Sequence, residues 1–178
     1  MFIDKMILES LRIHLSCPDL QVFAYEEWGS HNPEHRRLIH AHRDRIILNS
    51  DTPLHSSIAH TSGMGILVIS SHAVGVDIEH SERIADKVVK RITSPQEFAA
   101  APNAASLWTA KEACFKALRP FKQPSVLSDF SVGNWQKNTS QFETFTLLDY
   151  SEHQVPSAGA GACFHQQKFS FGFFCVNL

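Results

Sequence analysis

Apolar positions along the chain recur in two rhythms, every second residue in some stretches and every third or fourth in others. Leu20 to Trp28 has strand-type content in Val22, Phe23 and Tyr25. Pro33 then opens a helix expected to run to about Leu48, with Leu38, Ile39, Ile46 and Ile47 available for its buried side. Ser57 to Thr61 and Gly65 to Ser70 read as short strands, His72-Ala73 as a turn, and Val74 to Glu79 as a third strand. Ile84 to Ile92 is expected to be helical, with Ile84, Val88 and Ile92 on one stripe, and Pro95 to Phe98 a short helical turn. Leu107 to Leu118 is the clearest helix, stopped by Pro120. Four aromatic and β-branched runs follow: Phe130 to Trp135, Phe142 to Leu148, Gly161 to His165 and Phe169 to Val176. Polar turns separate them, so the C-terminal third should form an antiparallel sheet, and the whole reads as mixed α+β. Met1 to Ser10 has Asp4 and Glu9 breaking up its apolar residues and is assigned no element.

Composition narrows the class. A chain of 178 residues with 43% hydrophobic and 19% charged residues fits one globular unit, or two small halves sharing a core. Its longest apolar runs, Ile66 to Ile69 and Phe171 to Val176, fall far short of the about 20 residues a spanning helix needs. With no signal-peptide pattern at the start, a cytoplasmic protein is expected, with no membrane partner. Cys17, Cys114, Cys163 and Cys175 are widely separated, which disfavours structural zinc and disulfides. His31, His35, His40, His42 and His55 do not match zinc spacing, since His40 and His42 cannot share a helix face. A net charge of -2 argues against nucleic-acid binding by bulk charge. Residues 34 to 45, however, carry Arg36, Arg37, Arg43 and Arg45 against Glu34 and Asp44, a local basic patch suited to a small polyanion.

The candidate chemistry lies further on. Asp77 and Glu79 are two apart on an expected strand, so both leave the same face. Two such carboxylates repel unless a cation or proton lies between them, and magnesium commonly takes one or two carboxylates together with phosphate oxygens. Alone, the pair also fits a strand end with solvated acids, the commoner case, and Gly75 before it adds little. Glu112 and Lys116, four apart on a helix, share a face with Trp108, a mixture of charge and large aromatic that solvated faces rarely show. A third carboxylate with Lys111 and Lys116 would complete a metal and phosphate site. His60, with Thr61 and neighbouring hydroxyl residues in Ser57 to Gly63, ends a strand in a loop of the kind that binds phosphate.

Together these segments resemble the phosphopantetheinyl transferases of the Sfp type. Gly75 to Glu79 matches that family's G-[VI]-D-[IV]-E, and Trp108 to Lys116 its W-[ST]-x-K-E-[AS]-x-x-K. Ile58-Ala59-His60-Thr61 stands where the family has I-S-H-S. The basic helix is similar to its R-R-x(6)-G-R stretch, with His42 in place of the glycine. Ser94 to Phe98 is similar to its F-x-x-x-E-[YF] element, with Glu97 as the acid. The separation of 35 residues between Asp77 and Glu112 is short for the family.

The resemblance implies a pseudo-twofold pair of α+β halves, about residues 1–70 and 71–178, each an antiparallel sheet packed with helices. It further implies that Asp77, Glu79 and Glu112 bind Mg2+, with Mn2+ as a substitute, on the pyrophosphate of coenzyme A. Lys116 and Lys111 would balance phosphate charge, and His60, Thr61 and Arg43, or Arg36 and Arg37, would contact the adenosine phosphate. Asp77, Glu112 and Lys116 would serve the chemistry, with Glu97 as a base or a further metal-site residue. The expected reaction moves 4'-phosphopantetheine from coenzyme A to a serine of an apo acyl or peptidyl carrier protein of fatty-acid, polyketide or nonribosomal-peptide synthesis. A monomer is expected, with a dimer conceivable. Two rivals are a coenzyme A-binding protein that has lost transfer and a magnesium-dependent phosphodiesterase acting on holo-carriers.

Overall fold

In a computed structural model of the chain, residues 3–29, 33–121, 123–137, 142–149 and 159–176 are described. Three strands form the first sheet: β1 (Gln21–Tyr25), β2 (His55–Thr61) and β3 (Met64–Ser70), in the order β1-β3-β2 and antiparallel throughout. The central strand β3 is buried along its whole length, as its run Gly65 to Ile69 requires. Its side chains divide by the period of two. Met64, Ile66 and Val68 enter a core shared with the second sheet, while Leu67 and Ile69 meet Trp28 and Ile39 on the other side.

The second sheet has five antiparallel strands: β4 (Ala73–His80), β5 (Ser131–Lys137), β6 (Glu143–Asp149), β7 (Gly159–Gln166) and β8 (Phe169–Val176), ordered β4-β8-β7-β6-β5. The same alternation works here. Val74, Val76 and Ile78 of β4, with Phe169, Phe171, Phe173 and Cys175 of β8, face the shared core, while Ala73, Phe174 and Val176 face the long helix. The C-terminal third is thus the expected antiparallel sheet. The α+β reading holds, with two antiparallel sheets, each packed with helices.

The helices depart from expectation in three places. Helix α1 (Lys5–His14) forms where the acidic interruptions mark no element: Asp4 caps it by accepting from the Met6 N–H at 2.7 Å, and Leu8, Leu11 and Leu15 are buried. The spacing of those leucines was the available signal. Helix α2 (Pro33–Leu48) has the expected ends, but it buries only Ile39 fully and leaves Leu38 55% exposed. The stretch expected to be helical from Ile84 to Ile92 yields only one turn, α3 (Asp86–Val89), which buries Val89 and leaves Val88 at the surface. An isolated short segment cannot offset its nucleation cost, so tertiary contacts choose the residue that faces inward. Helix α4 (Pro95–Ala100) is capped by Ser94, whose hydroxyl accepts from the Glu97 N–H at 3.0 Å. Helix α5 (Ala104–Ala117) starts three residues earlier than the apolar pattern shows, because Asn103 caps it through the Ser106 N–H.

No helix among the described residues is long and apolar enough to cross a membrane. The four cysteines are free and buried.

Candidate active site

The site forms where α5 lies across β4 and β8, and glycine permits the approach. A Cβ on Gly75 would fall 1.9 Å from the Ala113 carbonyl oxygen, and one on Gly172 would fall 2.3 Å from that of Thr109. Gly172 pairs with Asp77 across the β4–β8 ladder. Any side chain at either position would lift the helix off the sheet, so Gly75 carries far more than the little assigned to it from sequence. At Gly172 the sequence signal is a glycine inside an otherwise phenylalanine-rich strand, a sign of close backbone approach.

With α5 seated, period two on β4 and period four on the helix bring four charges together. Asp77 and Glu79 leave the β4 face that also carries Gly75. Lys116 reaches down from the helix and donates to Asp77 Oδ1 at 2.7 Å and to the Val76 carbonyl at 3.2 Å. Its ammonium also lies 4.0 Å from Glu112 Oε2. One cation set against three carboxylates leaves a formal excess of negative charge. Burial pushes the Asp77 carboxyl above its ordinary range, and Lys116 only partly draws it back. Glu79 and Glu112 are also pushed up, by burial first and by the Asp77 charge second.

Asp77 Oδ2 is buried without a hydrogen-bond partner. A buried, unsatisfied carboxylate oxygen costs stability unless a cation or donor meets it. Hard oxygen donors with excess negative charge fit a divalent cation of the magnesium type. The donor set therefore suits such an ion.

Strand β2 runs beside β4 and supplies the other wall. The Thr61 hydroxyl donates to Glu79 Oε2 at 3.1 Å, and the Ser57 hydroxyl accepts from the Val76 N–H at 3.1 Å. His80 Nε2 donates to the Ser62 carbonyl at 2.7 Å. These ties between the sheets are not legible in the sequence, which does not show which strand edges meet.

His60 is exposed at the end of β2, and Arg36 of α2 lies 3.0 Å from its Nε2. A guanidinium has no acceptor, so the imidazole accepts at Nε2 in this contact. The other two arginines are engaged elsewhere, Arg37 with Glu34 at 3.2 Å and Arg43 with Asp44 at 2.6 Å.

Lys111 and Glu97 take a different course. Lys111 is fully buried and donates to Glu97 Oε1 at 2.9 Å and to the Phe130 carbonyl at 2.5 Å, with its ammonium 4.7 Å from the Phe130 ring centre. Glu97 Oε1 also accepts from the Val132 N–H at 2.9 Å. Burial lowers the lysine below its ordinary value, against the pull of Glu97. This pair ties α4, α5 and β5 together and does not join the Asp77 cluster. His31 lies outside the described residues.

Comparison with known families places the chain. A model of the 4'-phosphopantetheinyl transferase superfamily matches residues 73–163, just over half of the chain, and the chain belongs to that superfamily. Its members move phosphopantetheine from coenzyme A to carrier proteins, typically with a divalent metal. The matched span runs from β4 into β7 and takes in Asp77, Glu79, Glu97, Lys111, Glu112 and Lys116, while Arg36, His60 and Thr61 precede it. No curated protein matches the chain.

Proposed function

We propose that this chain is a transferase of the Sfp type that attaches 4'-phosphopantetheine from coenzyme A to a serine of an apo acyl or peptidyl carrier protein, in a magnesium-dependent reaction in the cytoplasm. The observation that carries this reading is the cluster of Asp77, Glu79 and Glu112 around Lys116, with Asp77 Oδ2 left unsatisfied, inside the span that matches the superfamily. Asp77, Glu79 and Glu112 would hold Mg2+ or Mn2+, which would supply charge neutralisation at the coenzyme A pyrophosphate.

The remaining work falls to the protein's own groups. Lys116, oriented by Asp77 Oδ1 and the Val76 carbonyl, sets its ammonium where negative charge grows as the leaving group departs. Arg36 and His60 receive the phosphate on the adenosine ribose, which lays coenzyme A across the junction of the two halves. The serine oxygen forms a bond to the β-phosphorus as the bridging P–O bond breaks, releasing adenosine 3',5'-bisphosphate. A carboxylate of this cluster, directly or through a water, accepts the serine proton. Lys111 and Glu97 act at one remove, by holding α5 against α4 and β5.

The test is to incubate the protein with apo-carrier, coenzyme A and magnesium and to follow the intact mass of the carrier. A gain of one phosphopantetheine is expected on at least one carrier type, and no gain on any of several types would overturn the reading. Coenzyme A binding without turnover would indicate a protein that has lost transfer. Release of the group from a holo-carrier would indicate the phosphodiesterase.

A further inference from the structure

A second group of metal-type ligands lies at the other end of β4. Cys17 and Asp19 come from the loop between α1 and β1, and His72 from the turn between β3 and β4. Their ligand atoms all lie within 4.8 Å of one another. Ala73 is four strand steps from Asp77, so the group is roughly 13 Å along β4 from the acid cluster. It is a separate feature and does not rest on the proposed reaction.

Its chemistry also differs. The Asp77 cluster offers only carboxylates, whereas this group offers a thiol, an imidazole and a carboxylate, the donor set of zinc and its chemical neighbours. Cys17 is fully buried, while the His72 and Asp19 side chains are 33% and 39% exposed, so an ion could enter from solvent and meet the thiol at the base. Asp19 is held by its surroundings as metal-binding carboxylates are. Its Oδ1 accepts from the Ser70 hydroxyl at 2.7 Å and its Oδ2 from the Ser71 N–H at 2.6 Å. The Cys17 sulfur lies 3.0 Å from Ser70 Oγ and 3.7 Å from Asp19 Oδ1. His72 Nδ1 lies 3.7 Å from Asp19 Oδ1 and 3.3 Å from the Ser71 hydroxyl, and the His72 N–H donates to Ser70 Oγ at 3.0 Å. Three donors from two segments are thus gathered at one solvent-facing point.

From this geometry we infer that Cys17, Asp19 and His72 form a binding site for a zinc-class divalent cation that pins the α1–β1 loop to the β3–β4 turn. Binding displaces the proton of the Cys17 thiol into solvent, so affinity rises with pH. The competing account is a purely hydrogen-bonded clasp with no affinity for metal.

Cobalt(II) distinguishes the two, because thiolate ligation gives an intense near-ultraviolet charge-transfer absorption that carboxylate ligation lacks. The full chain, kept reduced with a phosphine, should develop this band on titration with cobalt and lose it when zinc is added. Cys17→Ser should abolish the band, and His72→Ala should weaken cobalt binding tenfold or more, while Asp77→Ala should leave both unchanged. His72 is partly exposed, so its variant keeps the test decisive if Cys17→Ser fails to fold. Absence of the band in the wild-type chain, or a band unaffected by His72→Ala, would overturn the assignment.

Discussion

At the residue scale, the site turns on three acids made reluctant to ionise by burial and, for Glu79 and Glu112, by the Asp77 charge. Asp77→Ala and Glu112→Ala should each lower transfer by roughly 100-fold or more while leaving the circular dichroism spectrum unchanged. Near-normal turnover in either variant would refute the metal assignment. The raised carboxyls also set a pH dependence. Between the ordinary carboxylate range and the raised values of Asp77, Glu79 and Glu112, the folded chain holds more protons than the unfolded one. Stability contributed by these groups therefore falls as pH rises through that window, and stays low above it. A cation binds only the ionised acids and reverses the loss. Magnesium should thus raise the melting temperature more at alkaline pH than at pH values close to the ordinary carboxylate range. Equal shifts at both pH values would exclude these acids as the ligands.

The positions of Asp77, Glu79, Glu112 and Lys116 were legible in the sequence because spacings of two and four fix a shared face before any packing is known. Lys111 was not. It lies one residue from Glu112 and therefore about 100° around the helix. That rotation turns it toward Glu97 and the Phe130 carbonyl, where a buried charge finds its partners.

At the scale of elements, the contact of α5 with β4 and β8 decides whether the two motifs meet. Gly75→Ala places a methyl group against the Ala113 carbonyl and the Ala117 N–H, both main-chain atoms that cannot move independently. The substitution should cost about 1–3 kcal/mol, read as a lower urea midpoint. It should also depress turnover under conditions where the protein remains folded, since Glu112 and Lys116 move with the helix. Unchanged stability would mean that the helix does not sit on the sheet as described. Local signals marked most elements closely, among them Pro33 for α2 and Pro120 beyond α5. They failed for α3, whose apolar stripe is real but too short to hold a helix without neighbours. They also failed for α1, where Asp4, Leu8, Leu11 and Leu15 carried a signal that acidic interruptions obscured.

At the scale of the whole molecule, the proposed ligand site draws on both sheets. Arg36 and His60 come from the first sheet and its helix, whereas the acids and Lys116 come from the second. Arg36→Ala should weaken use of coenzyme A about tenfold or more through KM, consistent with loss of one charged hydrogen bond. It should leave 3'-dephospho-coenzyme A unaffected. An equal loss with both substrates would remove Arg36 from the phosphate contact.

By itself, the sequence determined the fold class, the C-terminal antiparallel sheet and the face on which each acid of the two motifs lies. These follow from local periodicity, which the backbone imposes whatever surrounds it. Only the tertiary structure decided that Arg36, rather than Arg37 or Arg43, meets His60, that Lys111 closes a buried pair, and that Cys17 and Asp19 meet His72. Each is a contact across more than a dozen residues of chain, fixed by which strand edges and helix faces share a core. Gly75 and Gly172 show why such contacts stay hidden in sequence: their role is the space they leave for a distant helix.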